Sequence, residues 1–261
     1  MSTMKKPAFH IFLLIVSLSF IPAGFAYILS AEQMLQPFLK AYRGVHTIKI
    51  GMETTIYGDL YGEREIREQL LIKEGGLFRS ERGFPQGDNI LVQDGRKAFT
   101  MGVEMSHPGA RRIDTVFPTI FFQSSVEDLL NTLNFLGVDT QAVTIDRIDR
   151  KVVFVVGRDL AEGPGSRLWM ERERRLPLRF VGVGISGGEA VVLRAEYRDY
   201  RQVDEELWFP GKIEYYKDDV LWIVSILHNI SVNEKLSETL FRIPEGGTAG
   251  SPVTDFLNIK E

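Results

Sequence analysis

The stretch VLWIVSILHNISV, residues 220–232, decides the fold, because apolar side chains recur at every second position throughout it. A period of two is typical of a β-strand with one buried face. The face that the alternation predicts consists of Val220, Trp222, Val224, Ile226, His228, Ile230 and Val232.

Two other stretches have the same period. One face of a long strand is predicted from His46, Ile48, Ile50, Met52, Thr54 and Ile56, and one face of another from Val191, Leu193, Ala195 and Tyr197. Further strands are predicted at 65–72, 90–93, 97–101, 141–145, 152–156, 167–171, 176–183 and 212–216. Turn dipeptides separate them: Asp94-Gly95, Asp149-Arg150, Gly187-Gly188 and Asp218-Asp219. Successive strands joined by tight turns indicate an antiparallel sheet.

Two segments have a helical period instead. The first runs from Ser30 to Tyr42, with Ser30 and Gln33 spaced as a capping box and with Pro37 expected to kink or restart the helix. The second runs from Val126 to Leu136. Its predicted capping box is Ser124 and Glu127, and Gly137 is its predicted C-terminal cap.

These elements predict a mainly β (α+β) fold. A sheet of about 10–11 strands curls, and its apolar face must be covered. We therefore expect a strongly curved antiparallel sheet that forms an incomplete β-barrel, covered by two or three helices. Such a barrel can enclose one apolar ligand.

Composition excludes several kinds of chemistry. The 261 residues contain no Cys, so disulfides, Cys-ligated metals and thiol nucleophiles are absent. The net charge of −4 argues against a nucleic-acid partner. The sequence has four His and no pair of them at metal-ligand spacing, so we predict no metal and no cofactor.

The N-terminus is typical of a secretory signal peptide. Lys5 and Lys6 precede the apolar run 11–21, and small residues follow up to Ala26. We predict a signal peptide at 1–26 that is cleaved near Ala26, one domain at 27–244 and a flexible tail at 245–261. The expected location is the periplasm. A retained N-terminal anchor is the alternative.

One segment matches two enzyme motifs. Residues 182–187 fit the dinucleotide pattern GxGxxG, and residues 184–188 fit the GxSxG elbow of serine hydrolases with Ser186 as nucleophile. Both motifs require a helix after the glycines, whereas an alternating run follows here. A hairpin is the favoured interpretation, and His228 is predicted to be a core histidine in mid-strand. A serine hydrolase that uses Ser186 remains the enzymatic alternative to a protein that is not an enzyme.

Three further groups of segments, taken in order, resemble LolA-type periplasmic carriers of outer-membrane lipoproteins. The groups are Gly76–Arg79 with Ile90–Arg96; Leu168–Glu171 through Leu176–Arg179; and Trp208–Pro210, Ile213–Tyr216 and Val232–Asn233 with Leu240–Pro244. The resemblance covers roughly Leu77 to Pro244. It implies an incomplete barrel with helices as a lid and a cavity for acyl chains.

The resemblance also implies a function and partners. The function is carriage of a lipoprotein or lipid toward the outer membrane by a monomer that contacts membranes transiently. The partners are an inner-membrane ABC transporter that loads the acylated cargo and an outer-membrane acceptor. In the family a basic residue latches the lid, and Glu74 stands at the matching position beside Lys73. The alternative is an RseB-like envelope sensor or protein-binding module.

The candidate ligand contacts are apolar. The run Val116–Phe122 is the densest apolar segment after residue 26, and we predict that it lines or plugs the cavity. The candidates are Ile48, Ile50, Met52, Phe117, Ile120, Phe121, Phe122, Trp222, Val224 and Ile226. Ordinary core packing is the competing interpretation for each of them.

Overall fold

The computed structural model describes residues 29–59, 62–84, 87–94, 97–102, 116–158, 165–186, 189–242, 249–250 and 258–259. The predicted signal peptide lies outside these residues. No helix among the described residues is long and apolar enough to cross a bilayer.

Helix α1, Ala31–Ala41, begins as predicted. Ser30 Oγ accepts a hydrogen bond from the backbone N–H of Gln33 at 3.2 Å, and Gln33 Oε1 accepts one from the N–H of Ser30 at 3.0 Å. This reciprocal pair is the predicted capping box. The helix continues past Pro37 and does not restart there.

Two further helices lie in mid-chain: α2, Val116–Phe121, and α3, Val126–Phe135. The capping box predicted for α3 is one residue out of place, because Ser125 rather than Ser124 accepts from the backbone N–H of Asp128, at 3.1 Å. Gly137 follows the helix with a φ of 81°, as the predicted C-terminal glycine requires.

The described part of the chain contains sixteen strands. They are β1 Thr47–Asp59, β2 Gly62–Lys73, β3 Leu77–Phe84, β4 Gly87–Asp94, β5 Lys97–Gly102, β6 Val143–Ile148, β7 Lys151–Val156, β8 Arg167–Glu171, β9 Pro177–Ser186, β10 Glu189–Arg198, β11 Arg201–Asp204, β12 Leu207–Phe209, β13 Lys212–Lys217, β14 Val220–Val232, β15 Ala249–Gly250 and β16 Asn258–Ile259.

Fourteen of the strands form one curved sheet, in the order β15-β5-β4-β3-β2-β1-β14-β13-β10-β9-β8-β7-β6, with β16 beside β9. The pairs are antiparallel except β16 with β9. The order has two ends that do not pair with each other among the described residues, so the sheet is open. The predicted fold class is confirmed, with more strands than the sequence indicated.

Two of the predicted hairpin turns have the geometry that their residues favour. Asp149 and Arg150 have φ values of 49° and 67°, and Asp218 and Asp219 have φ values of 48° and 64°. Two successive left-handed residues define the type I′ turn, whose twist matches that of paired strands. Gly187 and Gly188 lie outside the described residues, but β9 and β10 pair on either side of them.

The helices and one face of the sheet share a single core. It includes Met34, Leu35, Phe38, Phe117, Phe121, Leu129 and Leu133 from the helices, and Ile50, Leu70, Leu168, Phe180, Leu193, Ile213, Ile223 and Leu227 from the strands. We call this side of the sheet the inner face. The three helices therefore cover the inner face, as a lid would.

The face predicted for β14 is wrong before the bulge at Asn229 and right beyond it, where Ile230 and Val232 pack against the core. Ile223 and Leu227 are fully buried on the inner face, whereas Ile226 is 37% exposed. Opposite β1 the strand contains a bulge: Lys49 pairs with Ser231 and Gly51 with His228, so two residues of β14 oppose one of β1. The extra residue, with Asn229 at a φ of 48°, shifts the alternation by one position.

His228 is consequently not a core residue. It is half-buried on the outer face, opposite Gly51. A Cβ on residue 51 would lie 2.5 Å from His228 Cε1, closer than atoms can approach. A side chain at residue 51 would therefore force the imidazole to move from this position.

After β14 the chain crosses the outer side of β1 to β4. Thr47 Oγ1 donates to the carbonyl of Glu234 at 2.6 Å, and Arg79 Nη1 donates to the carbonyl of Leu240 at 2.9 Å. A short 3-10 helix, Glu238–Phe241, buries Phe241 there. This segment fastens the outer side of the sheet and leaves the inner face to the helices.

Candidate functional site

The predicted apolar segment forms α2, and its aromatic side chains point into the core. Phe117 is 1% exposed, and Ile120 and Phe121 are 0% exposed. The spacing of these residues, i, i+3 and i+4, places them on one side of a helix. We call these three side chains the plug.

The plug is surrounded by rings from two other elements. The ring centroid of Phe121 lies 5.5 Å from that of Phe38 on α1 and 5.3 Å from that of Tyr197 on β10. The rings of Phe117 and Phe121 are 4.7 Å apart. Most of these pairs are tilted or edge-to-face, an arrangement that aromatic rings favour. The contacts are apolar and hold the plug by packing.

Phe122, the fourth candidate from this segment, is half-buried at the margin of the cluster. Its ring lies 5.9 Å from that of Phe209, which lies 5.5 Å from the ring of Tyr42. The hydroxyl of Tyr42 donates to the carbonyl of Trp208 at 2.6 Å. Burial raises the pKa of Tyr42 well above its usual value, so this hydroxyl stays protonated as a donor.

The candidates on β1 lie in the same core cluster as the plug. Ile48, Ile50 and Met52 are all buried on the inner face. The structure therefore brings β1 and α2 together in one core, with α2 on the inner side of the sheet. Whether these side chains contact a ligand remains a prediction.

Two of the three candidates on β14, Val224 and Ile226, lie on the face away from the plug. The bulge at Asn229 leaves Ile223 and Leu227 on the inner face, so Val224 and Ile226 alternate to the other side. Trp222 is half-buried and packs at the margin of the core. The assignment of Val224 and Ile226 to the concave side is therefore wrong, whereas a ligand contact of Trp222 remains a prediction.

The sequence reasoning missed a buried ion pair on the inner face of β2 and β3. Arg82 Nε lies 3.0 Å from Glu68 Oε2, and Ser80 Oγ donates to Glu68 Oε1 at 2.5 Å. The side chains of Glu68 and Arg82 are 2% and 8% exposed. A signal was present, because Glu68 interrupts the apolar alternation of Ile66, Leu70 and Ile72.

Glu74 and Lys73 form ion pairs with residues outside the lid helices. Glu74 Oε2 lies 2.7 Å from His46 Nδ1, and Lys73 Nζ lies 3.1 Å from Glu238 Oε1 in the 3-10 helix. His46 lies at the end of the sheet, and Glu238 lies on its outer side. The described contacts that hold the lid helices are apolar packing and, at the end of α1, the hydrogen bond from Tyr42 to the carbonyl of Trp208.

The hydrolase motif lacks its required setting. Ser186 is the last residue of β9 and pairs with Glu189 of β10, so an antiparallel hairpin replaces the strand–turn–helix elbow. His228 lies on β14, and two strands, β13 and β10, separate β14 from β9 in the sheet. The hairpin interpretation of the glycines is confirmed.

Among the described residues, the plug belongs to one continuous core of buried side chains between the helices and the inner face. A groove of about 810 Å³ lies elsewhere, and Lys49, Gln69, Glu81 and His228 are among its lining residues. Its charged and polar lining does not suit a hydrocarbon chain. An acyl guest in the interior would therefore have to displace the plug.

The chain is similar in fold to several solved structures. A LolA superfamily protein from Nitrosomonas europaea matches with a TM-score of 0.56 at 15% identity, over 82% of this chain and 98% of that one. A domain named as an outer membrane lipoprotein-sorting protein, from Vibrio parahaemolyticus, matches with a TM-score of 0.51 at 13% identity, over 80% and 95%. A DUF1329 family protein from Desulfovibrio piger matches with a TM-score of 0.52 at 12% identity, over 81% and 95%.

No protein-family model and no curated protein sequence matches the chain. At these identities the structural matches establish the fold alone. The protein has a LolA-like fold, as the resemblance of its segments predicted.

Proposed function

We propose that the protein is a periplasmic carrier that holds the acyl chains of a lipoprotein or lipid against the inner face and transfers them toward the outer membrane. One observation carries the proposal. The centre of the concave side is filled by a six-residue helix, which presents fully buried apolar side chains and is held by packing.

A plug of this kind is displaceable. An isolated helix of six residues is unstable in water, so α2 depends on its contacts with the core for its conformation. Exposing three apolar side chains costs about 1.5–3 kcal/mol each. Burying the roughly 14 methylenes of a sixteen-carbon chain contributes about 11 kcal/mol at about 0.8 kcal/mol each. Displacing the plug therefore costs about 4.5–9 kcal/mol, less than the guest contributes, so loading is favourable and the return of the plug offsets much of the cost of release.

The proposed location and partners are supported by the predicted signal peptide and by the resemblance of the segments. The predicted signal peptide supports export. Carriage of acyl chains requires no bond chemistry in this chain, so loading by an inner-membrane ABC transporter and release to an outer-membrane acceptor supply the direction. We propose a monomer that contacts membranes transiently and needs neither cofactor nor metal.

Native mass spectrometry of the exported protein tests the proposal. The full chain is purified from the periplasm and examined directly, and then again after delipidation and incubation with a diacylated lipopeptide. We expect a bound lipid or acylated peptide in both experiments. Protein that is empty on purification and binds no lipopeptide at micromolar concentration would refute carriage and favour the protein-binding alternative.

A further inference from the structure

The hydroxyl of Tyr197 is buried beside the plug without a hydrogen-bond partner. The residue is 2% exposed, and among the described residues nothing accepts from or donates to its oxygen. Its ring lies 5.3 Å from that of Phe121 and 6.4 Å from that of Phe117. The polar atom therefore belongs to the same aromatic cluster that the plug completes.

Other tyrosines near this cluster are satisfied. The hydroxyl of Tyr42 donates to the carbonyl of Trp208, and that of Tyr200 donates to the carbonyl of Pro177. Buried polar groups are paired in the great majority of cases, and an unpaired one is unfavourable. A phenylalanine at 197 would fill nearly the same volume without this penalty. The hydroxyl is thus a feature that packing alone does not explain.

We propose that Tyr197 is the polar anchor of the acyl site: when an acyl chain replaces the plug, its hydroxyl donates a hydrogen bond to the ester or amide carbonyl of that chain. The inference rests on the proposed function and deepens it. The carbonyl is the polar group to which the hydrocarbon part of an acylated lipid or lipoprotein is attached. Tyr197 therefore sets how deep the chain enters and distinguishes acyl from alkyl lipids.

The chemistry of the hydroxyl suits this role. Desolvation by burial raises the pKa of Tyr197 far above its usual value, so the group remains a protonated donor throughout the physiological range. Because the surroundings are apolar, a hydrogen bond formed there is stronger than one formed in water. Phe117 and Phe121 occupy the adjacent space in the plugged state and leave Tyr197 without an acceptor.

The test compares two lipids that differ only in the carbonyl: dipalmitoyl phosphatidylglycerol and its dihexadecyl ether analogue. Binding of each is measured by competition with a fluorescent acyl probe, for the full-length exported chain and for Tyr197→Phe. We expect the wild type to bind the ester about 5- to 100-fold more tightly than the ether. In Tyr197→Phe the two affinities become equal, through loss of ester binding.

Tyr42→Phe is the matched control, because it removes a hydroxyl that already has a backbone partner. It is expected to lower the Tm and to keep the preference for the ester. Tyr197→Phe is expected to leave the Tm unchanged or to raise it, since it removes an unsatisfied group.

The outcomes separate the two proposals. A wild type that binds both lipids equally overturns the anchor and leaves carriage intact. A wild type that binds neither lipid, nor the fluorescent acyl probe, nor the lipopeptide overturns carriage, and the anchor with it. An unchanged ester preference in Tyr197→Phe also overturns the anchor.

Discussion

Phe121→Ala tests whether the plug leaves the core when a guest binds. Phe121 is 0% exposed and contacts rings from α1, α2 and β10, so its truncation is expected to destabilise the unliganded protein by about 3–5 kcal/mol. If the guest replaces the plug, the bound state never contained these contacts. The substitution then raises the free energy of the unliganded protein and leaves that of the liganded protein unchanged. The full destabilisation therefore appears as tighter binding of the guest.

The size of that gain follows from the same figure. Each 1.4 kcal/mol corresponds to about tenfold in affinity, so sixteen-carbon acyl chains should bind Phe121→Ala roughly 100- to 4,000-fold more tightly than they bind the wild type. Equilibrium denaturation in urea gives the change in stability. Competition with a fluorescent fatty-acyl probe gives the change in affinity.

Phe135→Ala is the control, because Phe135 is 48% exposed on the neighbouring helix α3. Its expected effect on stability is within about 0.5 kcal/mol, with no change in affinity. A six-carbon acyl probe distinguishes plug release from simple creation of a void. A hole the size of one ring can hold a short chain but not a long one.

Two results would refute the reasoning. The first is a destabilised Phe121→Ala that binds the sixteen-carbon chain no better than the wild type does. The second is a gain restricted to the six-carbon probe. Either result would mean that α2 is permanent core and that the acyl site lies elsewhere.

The remaining predictions concern buried and exposed charges. Glu68→Ala leaves Arg82 buried without its carboxylate partner and should destabilise the protein by about 3–5 kcal/mol in urea denaturation. Glu53→Ala, which breaks an exposed ion pair, should cost less than about 1 kcal/mol. Equal effects of the two substitutions would contradict the burial assigned to the inner pair. Hydrogen bonds from the indole of Trp169 and from a backbone N–H lower the pKa of Asp146 from its ordinary 3.8. The ionised carboxylate therefore stabilises the fold above about pH 3.8, and this stabilisation is lost as the pH falls through the lower pKa of the folded state. The Tm of the wild type should therefore exceed that of Asp146→Asn at pH 6, and the difference should shrink below pH 3.8; a difference that stays constant down to pH 2 would contradict this assignment.

Local rules predicted the elements well where the deciding contacts are close in sequence. The capping box of Ser30 and Gln33 depends on two residues three positions apart, and the structure confirms it. The Asp-Arg and Asp-Asp turns likewise follow from two adjacent residues. Where neighbouring serines compete, as Ser124 and Ser125 do before α3, sequence spacing did not decide which one caps the helix.

Longer-range features were missed because they depend on pairing between strands. The alternation of β14 is unbroken in sequence, yet the face reverses at Asn229 because β1 has one residue fewer over the same length. Glu68 was not recognised as part of a buried pair, since its partner Arg82 is brought opposite only by the β2–β3 register. The reversal of the β14 face and the pairing of Glu68 with Arg82 each depend on two strands, so the sequence of one strand does not reveal them.

The sequence by itself determined the kind of fold, because a period of two and a period of 3.6 each specify an element from neighbouring residues. It also located the aromatic segment Val116–Phe122. The tertiary structure alone decided which faces are inner, that this segment fills the concave side, and that the hydroxyl of Tyr197 lies there without a partner. These properties depend on which distant residues the sheet brings together, and that information lies in the strand register and in the packing of helices on the sheet.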